Sequence, residues 1–79
     1  ARLLPIPVFQ CEFGGRVVVT VVINRNGAVQ RASVLEADSD ADECLHEAAV
    51  NAALRSRFNE KPEAPALQTG TITYNFVKQ

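Results

Sequence analysis

The chain is short of most residues that build reactive centres. It has one histidine and two cysteines. That set cannot supply the four ligands of a structural zinc site. No CxxC redox motif is present. Five of its 79 residues are aromatic, and the charges nearly cancel at a formal −1. A nucleic-acid surface needs a basic stripe, and none is present. Long apolar runs are absent too. The nearest is Val17-Val18-Val19, resumed after Thr20 by Val21-Val22-Ile23, far short of the roughly 20 residues that span a bilayer. No leader segment is visible, and Ala1 reads as a processing boundary, so targeting motifs do not give a compartment.

What is present suits one small folded domain. The apolar fraction is 47%, ordinary for a globular chain. A core of this size is marginal alone and usually has help. Cys11 and Cys44 are separated by 33 positions. They are either two buried free thiols or a disulfide, which in the chain-entropy picture would contribute about 3–4 kcal/mol.

Periodicity gives the elements. "LLPIPVFQ", with Pro5 and Pro7, reads as an extended lead-in, or a short edge strand. "RVVVTVVIN" is a β-branched run and therefore a strand. Val17, Val19, Val21 and Ile23 share one face. The other face, Val18, Thr20 and Val22, is also fairly apolar, as in a central strand. Asn26-Gly27 signals a hairpin. The next strand is expected from Ala28 to about Ala37. Val29 is out of phase with Ala32 and Val34, and a bulge near Gln30–Arg31 would restore one face. "DSDADECLHEAAVNAALRSRF" is expected to be a helix, with Asp40 as N-cap and Glu43 completing a capping box. Leu45, Ala48, Ala49, Ala52 and Ala53 form a narrow stripe of small residues that lets the helix lie close to a sheet. Arg55 and Arg57 would fall in the last turn, where cations suit the dipole. "NEKPEAPALQ" is a loop, its prolines stopping the helix. The chain closes on "GTITYNFVKQ", in which Ile72, Tyr74 and Phe76 alternate with Thr71, Thr73 and Asn75, a half-buried strand.

The order β-β-α-β specifies an α+β two-layer fold, one helix on a three-stranded antiparallel sheet. The first strand reads as central, so the strand order is 2-1-3 and the last strand is an edge. The expected core is Val17, Val19, Val21, Ile23, Val29, Ala32, Val34, Leu45, Ala49, Ala52, Phe58, Ile72, Tyr74 and Phe76. By this phase Val19→Ala should cost about 1 kcal/mol more than Val18→Ala. Sheet edges are usually blunted by charge or proline, yet Thr71 to Val77 carries neither, and no later element is evident to cover it.

No catalytic constellation emerges. Five acids lie between Glu36 and Glu43, but an EF-hand loop counted from Asp38 puts Glu43 where glycine is needed and Ala49 where a bidentate acid is needed. A helix N-terminus explains them better. His46 lies two positions from Cys44, on a different helix face, so the two make no nucleophile pair. Ser33, Ser39 and Ser56 lack a GxSxG context. Gly14-Gly15 is too short for a phosphate loop and reads as a turn into the first strand. Neither enzymatic activity nor a cofactor or metal is expected.

In order, "GGRVVVTVVINRNGAVQRASVLEAD", "LHEAAVNAALRSRF" and "GTITYNFV" resemble the C-terminal domain of the TonB energy transducers, in a Bacteroidetes-type variant. Residues 14–78 would be the family-like core and 1–13 the lead-in of a single domain, 1–79. The chain departs from the family in having Asn59 where a proline often follows the Arg-aromatic pair, Ser56 where an aromatic often precedes it, and "PIPVFQC" in place of a Tyr-Pro lead-in.

The resemblance implies a periplasmic module of a protein anchored in the inner membrane and coupled to ExbB–ExbD through a segment outside this chain. Such a module grips the TonB-box peptide of outer-membrane receptors and transmits force for nutrient import. It implies that the last strand, Thr71, Ile72, Thr73, Tyr74, Asn75, Phe76 and Val77, takes up the peptide by strand addition. With a periplasmic location, it also implies that Cys11 and Cys44 form a disulfide joining the lead-in to the helix N-terminal turn. The same edge could instead serve a homodimer, favoured by Val18, Val22 and Val77 on the outer face, or a small secreted binding or inhibitor module.

Overall fold

The computed structural model describes residues 11–60, 62–63 and 65–77. The expected lead-in strand falls before residue 11, outside the described residues. Strand β1 (Gly15–Asn24) is followed by β2 (Val29–Val34), a 3-10 turn (Glu36–Asp38), helix α1 (Glu43–Arg55) and β3 (Leu67–Phe76). The three strands form one antiparallel sheet in the order β2-β1-β3. The β-branched run thus takes the centre, where both of its edges are paired.

The phase break in β2 is resolved by a bulge. Val22 pairs with Arg31 but Ile23 pairs with Val29, which leaves Gln30 as the extra residue. Val29, Ala32 and Val34 then sit opposite Ile23, Val21 and Val19 on one face. The hairpin is organised more by Asn24 than by Asn26. The Asn24 Oδ1 accepts from the amides of Asn26 (2.9 Å) and Ala28 (3.0 Å). The Gly27 amide donates to the Asn24 carbonyl at 3.0 Å, and the Asn24 amide donates to the Ala28 carbonyl at 2.9 Å. Among the described residues only Gly27 takes positive φ, +88°. This is the three-residue loop in which a left-handed glycine completes a bulge.

β2 ends at Val34, earlier than the expected Ala37, because the chain then bends along β1. The Leu35 amide donates to the Val18 carbonyl (2.8 Å), the Val18 amide to Ser39 Oγ (2.8 Å) and the Arg16 amide to Asp40 Oδ2 (2.8 Å). The Asp40 amide returns to the Arg16 carbonyl at 2.8 Å. These contacts occupy the half of β1 that β2 does not reach. They also correct the helix start. Asp40 is committed to β1, so Asp42 is the N-cap, its carboxylate accepting from the amides of Cys44 (2.9 Å) and Leu45 (3.4 Å).

The helix end needs a second correction. Ser56 is extended, its hydroxyl donating to the Ala52 carbonyl at 3.0 Å. Arg57 then bridges Ala28, and the Phe58 amide donates to the Gly27 carbonyl at 2.8 Å. Arg57 therefore lies beyond the last turn, which holds Arg55. Phe58 is 39% exposed rather than in the core. Its backbone is held against the hairpin, which keeps the ring out of the helix–sheet interface.

The core lies between α1 and the sheet. Val17, Val19, Val21, Leu45, Ala49, Ala53 and Phe76 cluster there with Cys11. Ile23, Val29, Ala32, Val34, Ala48, Ile72 and Tyr74 pack half-buried around them. Ala52 is buried as expected. Val18, on the opposite face, is also buried, only 6% exposed. It lies outside the helix-side cluster, in the part of β1 that Leu35 and Ser39 bind. Gly15 is a close-approach position: a β-carbon there would come within 2.7 Å of Asp40 Oδ2 and 2.9 Å of Leu45 Cδ1. Its role is to admit the Asp40 side chain and the helix.

Candidate functional site: the free edge of β3

β3 pairs with β1 over ten residues without interruption, from Gly15 opposite Phe76 to Asn24 opposite Leu67. Among the described residues no strand pairs with its other side. Which backbone groups face that side follows from β1. The amides and carbonyls of Arg16 and Val18 point away from β3, toward Asp40, Ser39 and Leu35. Asn24 likewise turns to Ala28. Backbone groups alternate along a strand, so Val17, Val19, Val21 and Ile23 turn theirs to β3. Their partners Tyr74, Ile72, Gly70 and Gln68 therefore spend their backbone groups on β1. Thr69, Thr71, Thr73 and Asn75 present theirs to the open edge.

The same alternation sorts the side chains. Ile72 and Tyr74 are half-buried and Phe76 buried on the helix face, with the Tyr74 and Phe76 rings stacked at 6.2 Å. Thr69, Thr71, Thr73 and Asn75 are exposed on the other face. The residues that offer backbone thus carry short, uncharged side chains. No proline or charge interrupts the stretch from Leu67 to Phe76. An edge of this kind is a template for another extended segment.

The expected site residues Thr71 to Phe76 all fall on β3. Val77 lies just past the strand end and is 69% exposed. Gly70 opens the strand as expected, but the strand starts earlier, taking in Leu67 and Gln68 of the expected loop together with Thr69. The pairing of these three with β1 rests on residues 43 or more positions away. A cleft of about 240 Å³ opens at this end of the sheet, lined by Ile23, Asn24, Arg25, Phe58, Asn59 and Gln68.

Cys11 and Cys44 are joined as a disulfide, with Cα atoms 5.7 Å apart. It ties the chain just before β1 to the first turn of α1. His46 Nε2 lies 2.6 Å from the Asp40 carbonyl, so the ring nitrogen donates and helps secure the segment between β1 and the helix. Among the described residues there is no cluster of three or more His, Cys, Asp or Glu able to hold a metal ion. No described helix is long and apolar enough to cross a membrane.

Comparison with curated proteins returned no match, and comparison with solved structures returned none. Comparison with protein families matched residues 11–77 to the Gram-negative bacterial TonB protein C-terminal domain. The match takes in the disulfide-bonded Cys11, all three strands and the helix. The chain belongs to the Gram-negative bacterial TonB protein C-terminal family.

Proposed function

We propose that this is the periplasmic, receptor-engaging domain of an energy transducer, and that β3 captures the TonB-box peptide of outer-membrane receptors as a fourth strand. The observation that carries the reading is the edge of β3 that no described strand covers, with four outward backbone positions on uncharged residues. Main-chain hydrogen bonds supply affinity in strand addition, so one domain can serve receptors of differing sequence. Force would enter through a segment upstream of the domain, coupled to ExbB–ExbD and anchored in the inner membrane. The bound peptide would pass it to the receptor. The reading needs no catalytic step and no cofactor.

Titration of labelled receptor peptides against proline variants tests this. Thr73→Pro removes an amide that faces the open edge, so it should leave the fold intact by circular dichroism and weaken capture at least tenfold. Thr73→Ala should change affinity by no more than about twofold, because the side chain adds little to a backbone ladder. Tyr74→Pro removes an amide bonded to β1 and a packed ring, and should cost at least about 3 kcal/mol of stability. Parent-like peptide binding by a folded Thr73→Pro variant would place the site elsewhere. Light scattering over a concentration series checks whether the same edge pairs two copies of the domain instead.

A further inference from the structure

Three glycines punctuate the sheet, and two are explained by what surrounds them. Gly15 makes room for Asp40 and Leu45, and Gly27 has positive φ and sits against the Phe58 carbonyl. Gly70 has neither reason. Its φ is not positive, and among the described residues a β-carbon built on it would have as its nearest neighbours Ile23 Cδ1 and Val21 Cγ2, both at 3.9 Å. That is ordinary contact. The β1–β3 register runs through it without a bulge. Glycine inside a strand weakens it, and where no bulge or bend accounts for it, it marks close approach by another chain or a ligand.

The surroundings say what would approach. Gly70 shares the helix-side face with Ile72 and Tyr74, both half-buried. The helix lies over β2 and β1 and touches β3 least, so among the described residues this face is left partly open along the outer edge of β3. Next to Gly70, Ile23 also lines the 240 Å³ cleft together with Phe58 and Gln68. Alternate side chains of an added strand fall on this same face.

On the strand-addition reading above, we propose that the missing side chain at Gly70 is the seat for one large apolar side chain of the bound peptide, which lies over Gly70 against Ile23 and Ile72. The edge backbone holds any extended segment. The seat fixes its register, because only one residue of the segment can occupy the gap. The peptides selected are therefore those with a bulky aliphatic or aromatic residue at one position, flanked by positions whose side chains are hardly read.

The test uses Gly70→Ala and Gly70→Val with synthetic nonapeptides of alternating threonine and valine, in which a single leucine, or alanine as its control, is walked through each position. Both variants should fold and melt at or above the parent temperature, since a β-carbon fits and strand propensity rises. For the parent, leucine should bind tenfold or more tighter than alanine at the interior positions of the walk, the register shifting so that leucine lies opposite Gly70. In Gly70→Val that preference should shrink to within twofold, while the alanine peptides bind nearly as they do to the parent. The inference is overturned if Gly70→Ala melts well below the parent, which would show that the backbone itself needs glycine. It is also overturned if the leucine preference survives in Gly70→Val, or if the parent binds leucine and alanine peptides alike; in both cases strand addition stands. If the parent binds none of the peptides, strand addition fails and the seat fails with it.

Discussion

Breaking the Cys11–Cys44 cross-link should remove a large share of the stability of this domain. The bond closes a loop of 33 positions that contains β1, the hairpin, β2 and the 3-10 turn. The chain-entropy relation gives about 4 kcal/mol for a loop of that length. A domain of this size is expected to have a total of only about 4–12 kcal/mol. Cys11 is also buried within the core cluster, 8% exposed. The Cys11→Ala/Cys44→Ala variant should therefore lose more than the reduced parent, which keeps both sulfur atoms. Equilibrium urea unfolding of the oxidised parent, the reduced parent and the double variant gives the three free energies directly. The slope should be smaller for the oxidised form, whose unfolded state stays looped and exposes less surface. A reduced parent within about 1 kcal/mol of the oxidised one would refute the entropic reasoning. It would mean that the loop is already compact in the unfolded chain.

Further substitutions probe the packing and the helix start. Val19→Ala and Val18→Ala should each cost at least about 1 kcal/mol, because both residues are nearly inaccessible. Val19 should cost more, since it lies in the helix-side cluster. A parent-like Val18→Ala in chemical denaturation would show that the outer face does not contribute. Asp42→Ala should cost about 1 kcal/mol through the lost cap, measured by thermal melting. A loss for Asp42→Ala below about 0.3 kcal/mol would return the capping role to another residue.

The strand core was legible because it rests on local pattern. The β-branched run of β1 is central, Gln30 is the bulge that the phase of Val29 against Ala32 and Val34 demanded, and Gly27 turns the hairpin. The misreadings all involve partners distant in sequence. Asp40 and Asp42 are equally plausible caps by composition, and only the contact of Asp40 with Arg16, 24 residues away, assigns the role to Asp42. Phe58 reads as core by type, but its backbone is held by Gly27. Val18 lies on the outer face, as its phase implies; that it is also nearly inaccessible there is not visible in the phase. For the candidate site, the alternation of Ile72, Tyr74 and Phe76 marked the strand and its unblunted edge. Which of its amides face outward was not legible, because that parity is set by the contacts of Arg16 and Val18 on the far side of β1.

Amide hydrogen exchange with and without a receptor-derived peptide measures that edge directly. In the free domain, Thr69, Thr71 and Thr73 should exchange quickly, as should Asn75, while Gly70, Ile72 and Tyr74, bonded to β1, exchange slowly. Saturating peptide should slow the first set by tenfold or more and leave the second set nearly unchanged. Protection that appears on β2 or α1, or none at all on Thr69, Thr71, Thr73 and Asn75, would contradict strand addition at β3.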